Sequence, residues 1–174
     1  WGNGRAMAVL FAREGAKIFA ADKSGEAMKE TLERVREFGG TIQAYECDVT
    51  QSASWSAMVD ACLKAYGRID ILVNNVGGSA AGGPVEMAEE VWDGQIAYNL
   101  KSVFLGCKHV IPVMEKQGGG AIVNLASTSG LRYTGAPQVG YAATKAAVIQ
   151  LSKVVAVQYA SKGIRVNTVI PGQL

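Results

Sequence analysis

Short apolar runs, each closing on a polar residue, alternate along this chain with longer stretches patterned at helical spacing. That alternation constrains the fold more than any other feature. Ala16 to Ala21 ends at Asp22, Thr41 to Cys47 at Asp48, and Arg68 to Val73 at Asn74. Ala121 to Leu125 closes just before Ser127, and Ile164 to Ile170 runs into Pro171-Gly172. Between them, Arg5 to Glu14 (ended by Gly15), Glu26 to Phe38 (stopped by Gly39-Gly40) and Ser52 to Tyr66 (stopped at Gly67) read as helices. So do residues from about Ala88 to Lys116, and the apolar run Ala146 to Ala160. Strands separated by helices pair in parallel, because the helix returns the chain to the same edge. The expectation is α/β: a doubly wound parallel sheet with helices on both faces. The apolar centre of Arg68 to Val73 predicts a strand buried on both faces. The long helix is expected to bend near Gly106 or Pro112 and to end at Gly118-Gly119-Gly120.

Open α/β sheets bind ligands at the carboxyl ends of their strands, and Asp22, Asp48, Asn74, Ser127 and Pro171-Gly172 all fall at that edge. Gly2-Asn3-Gly4 opens the first helix, where backbone N–H groups and the positive dipole end suit a pyrophosphate. Asp22, at the end of the next strand, stands about where a dinucleotide fold places the carboxylate for ribose hydroxyls. Tyr141 and Lys145 stand one helical turn apart and share a face. A phenol alone is a poor acid or base at neutral pH, since its ordinary pKa is near 10. A fixed cation one turn away favours the phenolate, which suits general acid–base work.

The 174 residues fit one domain, 1–174, and a net charge of +2 gives no reason to expect nucleic acid or a membrane surface. Cys47, Cys62 and Cys107 lack metal-binding spacing, and only one His is present. No metal site is expected. Buried free thiols in a reducing compartment, the cytoplasm, are expected instead. No apolar run reaches transmembrane length and no signal peptide is seen. A chain that opens at Trp1 inside a Gly-rich turn and stops at Leu174 reads as a piece of a longer protein.

In this order the motifs resemble the short-chain dehydrogenase/reductase family, from Trp1 to Leu174. Gly2-Asn3-Gly4 is similar to the latter half of the Gly-rich cofactor turn, and Cys47-Asp48-Val49 to the adenine-contacting segment. Asn74-Asn75-Val76-Gly77 resembles the Asn-Asn-Ala-Gly turn, with Val replacing Ala. Tyr98-Asn99-Leu100 matches the motif carrying the helix Asn of the catalytic tetrad. Ile122 to Ser127 matches the strand ending in the catalytic Ser, and Tyr141 with Lys145 is the active-site pair. Arg165-Val166-Asn167 through Pro171-Gly172 matches the strand before the substrate loop.

The resemblance implies a Rossmann-type, three-layer α/β/α domain binding NAD(P), incomplete at both ends. The first strand, the leading glycine of the turn and the C-terminal substrate region are missing, so the isolated piece is expected to be inactive. It also implies roles. Tyr141 is the acid–base, Lys145 binds the nicotinamide ribose, Ser127 orients the substrate oxygen, and Asn99 holds a water relaying protons from Lys145. Thr128 or Ser129 compete with Ser127 for the register, and Asn99 has the plainer alternative of satisfying backbone. Gly2, Asn3, Gly4, Asp22, Asp48, Val49, Asn75, Val76, Gly77, Pro171 and Gly172 join Tyr141 and Lys145 as cofactor-binding residues. Asp22 favours NAD over NADP, with Lys23 partly offsetting it and Trp1 in a slot often basic in NADP users. The implied function is hydride transfer between nicotinamide and a small-molecule ketone or secondary alcohol, with Gly78, Ser79, Tyr133 and Gln138 as candidate pocket residues. The alternatives are a non-catalytic binding or assembly module and, among enzymes, a 3-oxoacyl-[acyl-carrier-protein] reductase.

The run from Ala146 to Ala160 carries one charged residue, Lys153. Val148, Leu151, Val155 and Tyr159 cover one face, and Ile149, Val154 and Val157 spill round it. The preceding helix, with Ile96, Val103, Phe104, Cys107, Val110 and Ile111, is apolar over a similarly wide arc. Such helices would leave an exposed apolar patch, so a homodimer or homotetramer through them is expected.

Overall fold

The computed structural model describes residues 2–172; the Trp1 slot therefore lies outside the described residues. The elements run α1 (Asn3–Arg13), β1 (Ile18–Asp22), α2 (Gly25–Glu37), β2 (Ile42–Glu46), α3 (Ser52–Tyr66), β3 (Ile71–Asn74) and α4 (Glu89–Gln95). A π-helical turn (Ile96–Lys101), α5 (Ser102–Lys116), β4 (Gly120–Leu125), a 3-10 turn (Thr128–Gly130), α6 (Val139–Tyr159) and β5 (Ile164–Val169) complete the order. The chain divides into two compact units, Trp1–Arg68 and Ile69–Leu174. Each is built of parallel strands and helices, the Rossmann-type pattern that the alternation predicts.

In the first unit β1 and β2 pair in parallel from Ile18↔Ile42 to Asp22↔Glu46. Successive side chains on a strand face opposite ways. Ile18 and Ala20 accordingly pack with Ala8, Val9 and Ala12 of α1, Val35 of α2 and Ile42. Phe19 turns the other way and meets Tyr66 of α3 edge-on, ring centroids 6.1 Å apart. The Tyr66 hydroxyl donates to Ile18 O at 3.1 Å, so helices cover both faces of this pair. Ser24 caps α2 through the Ala27 N–H, and Gly67 ends α3 in the left-handed region at φ 78°.

In the second unit β3, β4 and β5 pair in parallel in that order. Val103 of α5, Ala126 beyond β4 and Val148 of α6 form one cluster, which sets both helices on one face. Two expectations are corrected here. β3 is not buried on both faces: Ile71 is 55% exposed, and Leu72 and Val73 are half-buried. Among the described residues it pairs with β4, and it starts late, with the Gln117 side chain binding both the N–H and the carbonyl of Ile69. The long helix is interrupted at Ile96–Lys101 rather than at Gly106 or Pro112, both of which α5 runs through. The widened turn carries Asn99, whose side chain bonds a neighbouring loop, and π-turns of this kind recur at functional sites. The three cysteines are free and buried. No helix among the described residues is long and apolar enough to cross a membrane.

Candidate active site

The second unit brings most of the expected catalytic residues onto α6 and the elements against it. Lys145 is 3% exposed and donates from Nζ to Leu125 O, at the end of β4, at 2.8 Å. The same Nζ lies 5.5 Å from the centroid of the Tyr141 ring, one turn back on the helix. Burial pushes the Lys145 ammonium below the usual lysine pKa. Thr144 Oγ1 donates to Tyr141 O, tying down the first turn of α6.

Asn99 is fully buried at the π-turn. Its Oδ1 accepts from Gly78 N at 2.9 Å, and its Nδ2 donates to Gly78 O and to Gln95 Oε1. It does satisfy backbone, but that of the loop after β3, not of its own helix. A Cβ added to Gly77 would stand 3.0 Å from both Asn99 Oδ1 and Lys145 Nζ. The amide, the ammonium and the bare Gly77 backbone therefore converge on one spot. Asn75 and Val76 are half-buried on the way to it.

Ser127 is extended after β4, and its Oγ accepts from Ser129 N at 3.2 Å, capping the 3-10 turn. That turn lies against α6 so closely that a Cβ on Gly130 would come within 2.6 Å of Ala146 N. Only glycine permits the approach. Thr128 N donates to Pro171 O at 3.0 Å, which ties the end of β5 to the same turn, and Gly172 is exposed beside Thr128. Ser129 Oγ is taken up by Gln138 Nε2 at 3.0 Å. The rim beyond it is zipped by Gly82 N to Pro137 O and Val139 N to Gly82 O.

The first unit holds the remaining expected residues. Gly2 caps α1 with no side-chain bond, and Asn3 and Gly4 form its first turn, whose amides have no partner within the helix. Asp22 Oδ1 accepts from Ser24 N at 2.9 Å. Asp48 Oδ1 accepts from Thr50 Oγ1 and N, which lowers the Asp48 pKa. Lys23 Nζ lies 3.7 Å from Asp48 Oδ2, so the cation expected to offset Asp22 is directed at a different carboxylate. Val49 is buried and its carbonyl accepts from Trp55 Nε1.

Sequence reasoning missed the Leu125 carbonyl, Gln95, Gly130 and the buried pair Asn124 and Ser152. For the last two a signal existed: polar residues at the centre of an apolar strand and an apolar helix.

The whole chain, residues 1–174, matches the family model described as short chain dehydrogenase. It is 39% identical over 171 residues to a 2,5-dichloro-2,5-cyclohexadiene-1,4-diol dehydrogenase of Sphingobium indicum, covering 98% of this chain and 68% of that protein. A crystal structure from Burkholderia xenovorans, assigned to the short-chain dehydrogenase/reductases, superposes with TM-score 0.99 at 57% identity, covering 100% of this chain and 69% of that one. A 7α-hydroxysteroid dehydrogenase, solved with NADH and 7-oxo glycochenodeoxycholic acid, superposes with TM-score 0.93 at 32% identity, covering 99% and 67%.

Proposed function

Since this chain belongs to the short-chain dehydrogenase family of oxidoreductases, we propose that it transfers a hydride between NAD and a ketone or secondary alcohol, with Tyr141 as acid–base. The observation that carries the reading is Lys145, an ammonium buried beside the Tyr141 ring and tied to Leu125 O. Burying a lysine is costly, and an apolar residue would fill the same space without that cost. A cation kept there at such a cost supports a chemical role beside Tyr141, whose hydroxyl can trade a proton with the substrate oxygen. Ser127 is the partner for that oxygen. Its Oγ accepts one bond and keeps its own proton to donate, whereas Ser129 Oγ accepts from Gln138 and bonds Thr134 Oγ1 as well. The diol and hydroxysteroid named for two similar proteins support a secondary-alcohol substrate.

The residues present fit the cofactor. Lys145 spends one of its three donors on Leu125 O, and the bare backbone at Gly77 leaves the space in front of it clear. In the second unit Lys145, Tyr141, Asn75, Val76, Gly77, Pro171 and Gly172 would hold the nicotinamide half. In the first unit the α1 N-terminus would take the pyrophosphate, and Asp22 the adenosine ribose, with Asp48 and Val49 flanking the adenine. When bound, NAD supplies the carbon that accepts or gives the hydride. Assay of secondary alcohols with NAD in the full-length protein, followed by nicotinamide absorbance, tests the reading; no turnover on any of them would count against it.

Two finer expectations follow. Asp22→Ala should shift the ratio of kcat/KM for NAD over NADP toward NADP, because the carboxylate repels a 2′-phosphate. A ratio that stays put, or a wild type that already favours NADP, defeats the choice of NAD. The second concerns assembly. Val157 is 81% exposed, Val154 53% and Phe104 51%, an apolar patch on α5 and α6. Val154→Glu with Val157→Glu should halve the mass seen by light scattering, from dimer to monomer or from tetramer to dimer. A wild type that is monomeric at micromolar concentration would end this expectation.

A further inference from the structure

Behind the Tyr141–Lys145 pair lies a buried polar chain that the proposed chemistry does not use. Asn74 Nδ2 donates to Asn124 Oδ1 at 2.8 Å, Asn124 Nδ2 to Ser152 Oγ at 2.8 Å, and Ser152 Oγ to Val148 O at 2.7 Å. All three side chains are buried, on β3, β4 and α6. Apolar neighbours in the same elements, Ile122 and Val148, are fully buried too, so an apolar core at this level was open to the chain. The hydrophobic effect carries no direction, so apolar contacts discriminate less sharply between neighbouring rotations of a helix on a sheet. Hydrogen bonds in a dry interior do carry direction, and losing one partner there is costly.

β4 grips α6 at two successive residues. Asn124 holds Ser152 by its side chain, and Leu125 holds Lys145 by its carbonyl. Lys145 and Ser152 are two turns apart on α6 and share its face. Fixing Ser152 against β4 therefore fixes the angle at which Lys145 leaves the helix. We propose that Asn124 and Ser152 are positioning residues: they set the rotation of α6 on β4, and so hold the Lys145 ammonium at Leu125 O beside Tyr141. The proposal rests on the roles given to Tyr141 and Lys145 above. The titratable group facing Lys145 is Tyr141 on its own helix. From β4 and the π-turn it faces the Leu125 carbonyl and the Asn99 amide, which carry no charge.

The test compares Ser152→Ala, Ser152→Thr and Val148→Ala in the protein. Ser152→Ala should lower kcat by a factor on the order of ten to a hundred, the size expected of a displaced catalytic group. It should also raise the pH midpoint of kcat/KM and weaken NAD binding read by tryptophan fluorescence without substrate. Ser152→Thr keeps the hydroxyl and should restore all three. Val148→Ala removes only apolar contact from the same helix, so it should lower Tm and leave the pH midpoint and NAD affinity where they are. If Ser152→Ala behaves like Val148→Ala, losing Tm alone, the positioning role is overturned. Ser152→Cys, near-isosteric with a far weaker acceptor, carries the same comparison if the alanine variant does not fold. Normal turnover by Tyr141→Phe would instead sink the underlying assignment, a result separate from anything Ser152 shows.

Discussion

In the full-length protein, Tyr141→Phe should lower kcat and kcat/KM together by about a thousandfold while NAD binds with nearly unchanged affinity. The substitution deletes one oxygen and keeps the ring, and with it the contact to Lys145 Nζ at 5.5 Å. The backbone bond from Thr144 Oγ1 to Tyr141 O does not depend on the hydroxyl. Packing is therefore conserved and the loss reports chemistry. General acid–base catalysis typically supplies roughly 10²- to 10⁴-fold, and a thousandfold loss corresponds to about 4 kcal/mol of barrier. An interaction made only in the transition state lowers kcat and kcat/KM equally, whereas lost ground-state binding would raise KM alone. Steady-state kinetics with a NAD titration separate the two cases. Turnover within about tenfold of wild type, roughly 1.4 kcal/mol, would remove Tyr141 as the acid–base.

Much of this architecture is legible because it is written in local terms. The span Ser52–Tyr66 is helical as read, with Gly67 in the left-handed conformation that ends it. The strands closing at Asp22 and Leu125 lie where apolar runs and their stops place them. What the pattern cannot carry is which neighbour a segment finds. Arg68 to Val73 reads as a strand buried on both faces, yet Ile71 is exposed, and the Gln117 side chain, far along the chain, takes the backbone of Ile69. The break at Ile96–Lys101 was invisible for a similar reason. Gly106 and Pro112 are the local helix breakers, but the irregular turn accompanies Asn99's bonds to Gly78, a tertiary contact. The candidate site was legible through motif order, which names Ser127, Tyr141 and Lys145 without saying what fixes them. Their supports are a main-chain carbonyl at Leu125, a glycine at 130 and a serine at 152. Only the serine leaves a trace in the sequence, as a polar residue within an apolar helix.

Lys145→Met should cost the enzyme its activity while leaving it folded. Methionine has nearly the same unbranched stem, so it fills the channel between α6 and β4 while removing the charge and the donor to Leu125 O. On the roles proposed for Lys145 beside Tyr141 and at the ribose, kcat/KM should fall by at least about a hundredfold. Stability moves the other way. Desolvation lowers the Lys145 pKa in the folded protein from the ordinary value of 10.5. A depressed lysine pKa means that, between the folded and unfolded values, the unfolded chain binds more protons. The contribution of Lys145 to stability is therefore unfavourable below the folded pKa and is relieved as pH rises toward 10.5. The lost bond to Leu125 O offsets part of that relief, so the mark of the buried charge is the trend: the difference in Tm, variant minus wild type, should fall as pH climbs into the alkaline range. Taking the difference cancels the alkaline titration of the buried cysteines and Tyr66, which both proteins share. Thermal melts across that range, with kcat/KM alongside, decide the matter. A variant that unfolds far below the wild type at neutral pH would show that Lys145 serves the fold, and one that turns over within tenfold would show that it does not serve the chemistry.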